Sequence, residues 1–255
     1  MIDLTDSHAH LDDSSFAPDL PAVLQRAGEA GVRRIVVPAI HRNSWTGIAQ
    51  LCTEHPQALP AYGLHPIYLE QHRPEHVAEL TRWLAEHPAV AVGEIGLDYF
   101  LEELDRELQR SYFEQQLHIA REFELPVIVH ARRAMDEVTA TLRRIGGLRG
   151  VVHSFSGSEQ QAEQLWRLGF HLGIGGPVTY ERAQRLRRIV AGMPIEYLLL
   201  ETDAPDQPGA AHRGERNEPA HITEVLRVVA ALRGDSEEHI AAATTANAAR
   251  LFGYA

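Results

Sequence analysis

The sequence predicts an α/β protein closed as a single (β/α)8 barrel. Three observations predict it. Eight short apolar segments rich in β-branched residues alternate with segments of helical period along 255 residues. Several of these segments are almost continuously apolar, as in Ile35-Val36-Val37 and Leu198-Leu199-Leu200, which suits strands buried on both faces of a parallel sheet. Polar residues able to do chemistry fall just past the segment ends, where a barrel carries its functional groups. A doubly wound open sheet shares the alternation, and periodicity alone does not separate the two.

In chain order, strands are expected at residues 2–5, 34–37, 59–62, 89–93, 126–129, 150–152, 171–174 and 197–200. The first helix carries a stripe of Leu20, Val23, Leu24 and Ala27 and stops at Gly31. Another carries Phe113, Leu117, Ala120 and Phe123 and ends before Pro126. Ser158 followed by Gln161 reads as a capping box ahead of Ala162, Leu165 and Trp166. Two helices, about 220–232 and 236–250, close the chain. With no low-complexity tract, charged tail or Gly/Ser linker, one domain over 1–255 is expected.

Composition narrows the class. Hydrophobic residues make up 44% and charged residues 23%, as in a soluble globular chain. No apolar run approaches the roughly 18 residues of a membrane span, so no membrane partner is expected. The N-terminus lacks a basic region followed by an apolar one, which argues against secretion. Cys52 is the single cysteine and reads as a small buried hydrophobe. Together these point to a reducing, cytoplasmic setting. A net charge of -11 excludes a general nucleic-acid coat, which needs a basic face. A phosphate-bearing substrate would have to be drawn in by local cations, and bound divalent metal is the obvious source.

Histidine is the compositional outlier, at 15 residues, and its placement is informative. His8 and His10 follow the first strand, and two imidazoles two residues apart on an extended segment face the same side. His65 follows the third strand and Glu94 the fourth. His130 ends the fifth and His153 the sixth, while Glu201 and Asp203 follow the eighth. The steps from 65 to 94, 94 to 130 and 130 to 153 each fit one strand-helix unit. Those from 10 to 65 and 153 to 203 each fit two. In a closed barrel all these groups meet at one mouth. Other histidines, such as His72, His76 and His118, are expected at the surface.

Imidazole and carboxylate together suit Zn, Mn or Fe, and carboxylates also tolerate harder ions. Four histidines, one Glu and one Asp exceed the needs of one catalytic metal. They fit two ions about 3.5–4 Å apart. His8, His10 and Asp203 are assigned to one ion, His130 and His153 to the other, and Glu94 to the bridge. Glu201 is left as a ligand of an additional ion, a partner of the ligands, or a structural acid.

These residues resemble a known family. Asp6-Ser7-His8-Ala9-His10-Leu11, Gly63-Leu64-His65-Pro66, Gly93-Glu94-Ile95-Gly96-Leu97-Asp98, Pro126-Val127-Ile128-Val129-His130, His153-Ser154-Phe155-Ser156-Gly157 and Glu201-Thr202-Asp203-Ala204-Pro205 are similar to the motifs of TatD-type metal-dependent deoxyribonucleases. Arg216-Asn217-Glu218-Pro219 and Asn247 through Leu251-Phe252 fit as well, and Gly175-Gly176-Pro177-Val178-Thr179-Tyr180 is similar to the YjjV-type branch. The likeness covers nearly the whole chain. It implies an amidohydrolase-like TIM barrel, two divalent ions (Zn, Mg or Mn), and cleavage of phosphodiesters. A 3′-to-5′ exonuclease on single-stranded DNA, or on RNA, is the activity implied. The family's ligand positions fall on His8, His10, Glu94, His130, His153 and Asp203. Ala9 and Ser154 stand where the family usually has cysteines, and neither is an expected ligand.

On this reading His65, Glu94 and Asp203 are the catalytic residues, and His65, Arg132 and Arg216 contact substrate. His65 would touch the scissile phosphate or assist proton transfer, against the alternative of a structural histidine at a proline turn. Arg132 would clamp a phosphate oxygen, against a salt bridge on the barrel rim. Arg213 and Arg216, in the loop after the eighth strand, would meet the nucleic-acid backbone. Asp98 would orient a histidine or cap the next helix, and Tyr99 or Phe100 would stack a base. A monomer is expected. Two other readings stay open. The same centre would hydrolyse a carboxylic ester or an amide, as in a D-aminoacyl-tRNA deacylase or an amidohydrolase. The chain would otherwise be a binding module with a structural metal.

Overall fold

A computed structural model describes residues 2–254. Eight strands form one parallel sheet in sequence order: β1 (Leu4–Asp6), β2 (Val32–Pro38), β3 (Ala58–Tyr62), β4 (Ala91–Asp98), β5 (Val127–Arg132), β6 (Gly150–Val152), β7 (Phe170–Ile174) and β8 (Leu198–Leu200). The sheet curls until its two edges meet. The Ser7 amide donates to the Leu200 carbonyl at 3.0 Å, the Asp203 amide to His8 at 2.9 Å, and the His10 amide to Ala204 at 2.7 Å. Side chains lock the same seam. Buried Asp6 accepts from the Thr202 amide at 3.0 Å and the Thr202 hydroxyl at 2.6 Å. The expected barrel is the observed one, and no open-sheet edge is left between β1 and β8.

The helices between the strands are α1 (Leu20–Glu29), α2 (Trp45–Glu54), α3 (Glu75–Glu86), α4 (Arg106–Glu122), α5 (Met135–Ile145), α6 (Glu159–Arg167) and α7 (Gln184–Gly192). After β8 come α8 (Ile222–Arg233) and α9 (Glu237–Phe252). Each turns an apolar stripe inward. In α4, Phe113, Leu117 and Ala120 are buried, and in α1, Val23, Leu24 and Ala27. The capping box is present: the Gln161 amide donates to Ser158 Oγ at 3.2 Å and the Ser158 amide to Gln161 Oε1 at 2.8 Å. Among the described residues no helix is long and apolar enough to cross a membrane.

Inside the barrel, Val36, Ala61, Ala91, Ile128, Val151 and Leu199 from six strands pack together with Leu251 and Phe252 of α9. These side chains fill the lumen near the N-terminal ends of the strands, so the barrel is a packed core with only its other mouth open. Tyr254, just past α9, bonds Thr5 of β1 at 2.7 Å and fastens this plug.

One strand departs from expectation in a way that matters. β4 does not end at residue 93. Its pairing with β5 shifts register between Val92 and Ile95 and then resumes through Asp98 opposite Arg132. Glu94 and Asp98 are therefore strand residues, four apart and on one side. Gly96 makes the continuation possible. It has φ +146°, and a Cβ there would lie 2.0 Å from the His130 carbonyl oxygen.

Candidate metal centre

The strand ends bring five imidazoles and the Asp203 carboxylate together around Glu94, which is 2% exposed. The two oxygens of that carboxylate look in different directions. Oε2 lies 3.2 Å from His8 Nε2 and 3.6 Å from His10 Nε2. Asp203 Oδ1 closes this first group, 3.5 Å from His8 Nε2 and 3.7 Å from His10 Nε2. Oε1 lies 2.7 Å from His153 Nε2, 2.9 Å from His65 Nε2 and 3.2 Å from His130 Nδ1. The result is two donor groups joined by one carboxylate.

All six residues assigned to metal from their spacing are thus brought together. His65 was expected against substrate. Its Nε2 instead faces Glu94 inside the second group. The signal was present in the sequence, since His65 also follows a strand end, but spacing could not say which way its ring turned. A buried His72 holds it there, with Nε2 2.8 Å from the His65 carbonyl. His72 and His76, at 8% and 4% exposure, correct the expectation that both are surface residues. His118 is exposed as expected.

Supporting contacts fix the rings. Asp98 Oδ2 is 2.9 Å from His130 Nε2, which leaves Nδ1 of that ring for Glu94. Glu201 is fully buried and accepts the Ser154 amide at 2.5 Å, with His153 Nδ1 at 3.9 Å. The Gln207 amide group donates to Asp203 Oδ2 and accepts the Ser154 hydroxyl at 2.9 Å through its own oxygen. Asp203 itself sits at φ +58° and Ser154 at φ +45°, left-handed conformations that turn both into the mouth.

Burial and charge oppose each other here. Burial would raise Glu94, yet the surrounding histidines hold it well below the carboxylate range. Burial would lower His153, yet Glu94, with Asp203 and Glu201, pushes it up to about 10. His8 goes the other way: burial, then the stacked His153 ring 4.0 Å away, takes it down to about 4. Glu201 is pushed up by burial to about 8. Ring nitrogens face each other at 3.2 Å in the His8–His10 pair and 3.4 Å in the His130–His153 pair. Nitrogen and carboxylate donors converging at such distances suit divalent cations, and His8, His10 with Glu94 and His65, Glu94 with His130 are candidate metal-binding groups.

The centre lies at the base of a cleft of about 1170 Å³. Its lining is mixed in charge by loop: those after β1 and β8 supply Asp12, Asp13 and Asp206, and those after β5 and β7 supply Arg132, Arg182 and Arg185. Arg132 is exposed and stacks on Phe100 at 3.6 Å, and among the described residues no carboxylate lies within ion-pair distance of it. Tyr99 is buried, so Phe100 alone of that pair is available for stacking. Arg216 does not reach the cleft. It forms a two-pronged pair with Asp19, both contacts 2.8 Å, and stacks on Phe16 at 4.7 Å, so the expected substrate contact is corrected to a clamp between two loops. Arg213 does not line the cleft either.

The sequence model of the family described as TatD related DNase matches residues 5–253. An uncharacterised metal-dependent hydrolase of Escherichia coli, YjjV, is 42% identical over 97% of this chain and 96% of its own. A protein of Erwinia tasmaniensis named 3′-5′ ssDNA/RNA exonuclease TatD is 36% identical over 97% of this chain and 98% of its own. The crystal structure of the Escherichia coli TatD homologue YjjV superposes with a TM-score of 0.96 at 39% identity, covering 99% of this chain and 98% of that one.

Proposed function

This chain belongs to the TatD related DNase family of metal-dependent hydrolases, and from that premise we propose that it is a two-metal nuclease removing nucleotides from the 3′ end of single-stranded DNA or RNA. The observation that carries the proposal is the single Glu94 carboxylate shared by two imidazole groups at an open barrel mouth. A structural site is closed by its ligands, whereas this one faces a substrate-sized cleft. The exonuclease name of the Erwinia relative supports the substrate and the direction.

Two divalent ions held there would polarise a phosphoryl oxygen and acidify water. The chain supplies the rest. Asp203, its Oδ2 held by Gln207, is fixed to take the proton of the attacking water. His65 braces Glu94 Oε1, and Asp98 turns His130 toward the same oxygen. Arg132 is free to meet an oxygen of the scissile phosphate through its planar fork.

The test loads metal-free protein with Mg, Mn or Zn and offers labelled single strands of DNA and RNA with the 3′ or 5′ end blocked in turn. Stepwise shortening from a free 3′ end, abolished by chelator and by Glu94→Gln, is expected. No shortening with any metal, together with cleavage of a carboxylic ester or an amide, would overturn the reading in favour of acyl chemistry.

A further inference from the structure

A second groove, about 770 Å³, opens beside the cleft, and Ala131, Ser156 and Arg185 line both. The chain contains 24 arginines and no lysine, with a net charge of -11. Arginines elsewhere, such as Arg26, Arg42, Arg110 and Arg216, hold carboxylates. Those along this rim do not. Arg132, Arg133, Arg182 and Arg185 are exposed, and among the described residues none has a carboxylate within 4 Å. Arg132 and Arg133 lie over the Phe100 ring at 3.6 and 4.7 Å, and Arg185 donates to the Ser156 carbonyl at 2.8 Å. Of the acids in the second groove, Glu137 pairs with Arg110 at 2.8 Å, and Asp136, bonded by Gln161 at 2.6 Å, is a single negative charge against the two arginines Arg133 and Arg185. The unpaired charge along this path is therefore positive on balance.

The loops after β8 and β1, at the seam of the barrel, carry the reverse charge into the cleft, with Asp12, Asp13 and Asp206. A phosphate backbone is attracted to one side and repelled from the other. We propose that the second groove, entered over Arg185, holds the nucleotides of a single strand that lie beyond the cut bond, so that the strand ends against the carboxylate wall. This deepens the nuclease reading and rests on it. Guanidinium forks meet phosphates two-pronged, and Phe100, 41% exposed, holds the Arg132 and Arg133 forks against its ring along this path. A strand that cannot continue past the acidic wall must present its end to the metal centre, which favours removal of terminal nucleotides over internal cuts.

The test compares wild type, Arg133→Gln, Arg185→Gln and the double variant on thymidine dinucleotide and decanucleotide. Arg133→Lys serves as the charge-keeping control. The preference for the decanucleotide, as a ratio of kcat/KM values, is expected to fall about tenfold in the double variant. For decanucleotide binding to metal-free protein, the slope of log Kd against log salt is expected to drop by about 1.4, two phosphate contacts at about 0.7 each. The lysine variant keeps the slope. An unchanged ratio and slope, with strands still shortened by every variant, overturns the groove and leaves the nuclease reading standing. Failure of wild type to shorten any strand overturns both.

Discussion

Asp98 Oδ2 lies 2.9 Å from Nε2 of His130, and this contact decides which nitrogen of His130 meets Glu94. Asp98 engages Nε2, so Nδ1 is the nitrogen that would offer its lone pair to a metal ion once its own proton leaves. Carboxylate partners of this kind fix the tautomer and raise the basicity of a ligating imidazole. Asp98→Ala is expected to weaken metal binding about 10- to 100-fold. Asp98→Asn, which keeps the shape and an oxygen acceptor, should fall between. Titration of metal-free protein with Zn or Mn, read by calorimetry, measures both. Equal affinity in all three proteins would show that Asp98 serves only the Phe100 turn, whose amide it also accepts at 2.9 Å.

Glu94 joins the two groups, so its loss should be felt by both. Glu94→Ala is expected to lower bound metal from two ions per chain to fewer than one. Hydrolysis should drop on the order of a thousandfold or more. Metal content after dialysis and initial rates report the two effects separately. Full retention of two ions in Glu94→Ala would exclude a shared ligand.

The pKa pattern sets the pH dependence. His153 is raised from its ordinary 6.5 to about 10, because Glu94 and its neighbours outweigh burial. In the metal-free fold its proton therefore stabilises fully below about 6.5, and that contribution disappears as pH rises through about 10. His8, lowered by burial to about 4, is neutral in the fold, so its contribution is present above 6.5 and lost as pH falls through about 4. Urea unfolding of metal-free protein should thus show declines on both flanks. Metal needs His153 without its proton, so affinity should rise with pH until about 10. Near pH 8, uptake should release protons from His153 and from His130, which is raised as well by Asp98 and Glu94 against burial, measured calorimetrically in buffers of different ionisation enthalpy. Proton uptake, or none, would contradict the assigned direction for His153.

The sequence and the structure agree most closely where information is local. All eight strands follow from apolar runs, and the Ser158–Gln161 box from four consecutive residues. His8, His10, Glu94, His130, His153 and Asp203 were legible because each follows an apolar run at a repeating interval. What was not legible depends on distant partners. β4 passes Gly93 because pairing with β5 resumes beyond a register shift, which no property of residues 94–98 announces. Arg216 reads as a free cation until Asp19, 197 residues away in sequence, is seen against it. His72 looks like a surface residue beside Arg73, yet a carbonyl seven residues earlier buries it. The second groove is built from turns after β4, β5, β6 and β7, so no single stretch reports it.

Arg216 offers a direct check on that correction. With its guanidinium committed to Asp19 and Phe16, Arg216→Ala is expected to leave kcat/KM on single-stranded DNA within about twofold of wild type. The effect should appear as a lower Tm. A tenfold loss of kcat/KM with unchanged Tm would restore the arginine to the substrate path.

Gly173 and Glu201 are coupled by space. A Cβ on residue 173 would lie 2.0 Å from Glu201 Oε2 and 2.7 Å from its Cδ. The carboxylate has no room to retreat, since Glu201 is fully buried and its Oε1 is engaged by the Ser154 amide. Gly173→Ala must therefore displace Glu201, and Ser154 with it. Overpacking of this kind costs about 1–3 kcal/mol. The same displacement loosens the turn that carries His153, so metal affinity should fall along with stability. Glu201→Ala removes the obstructing carboxylate, and the double variant Gly173→Ala/Glu201→Ala should be less destabilised than the sum of the two single changes. Urea unfolding of the four metal-free proteins closes the cycle, and strict additivity would show that the two residues do not compete for this volume.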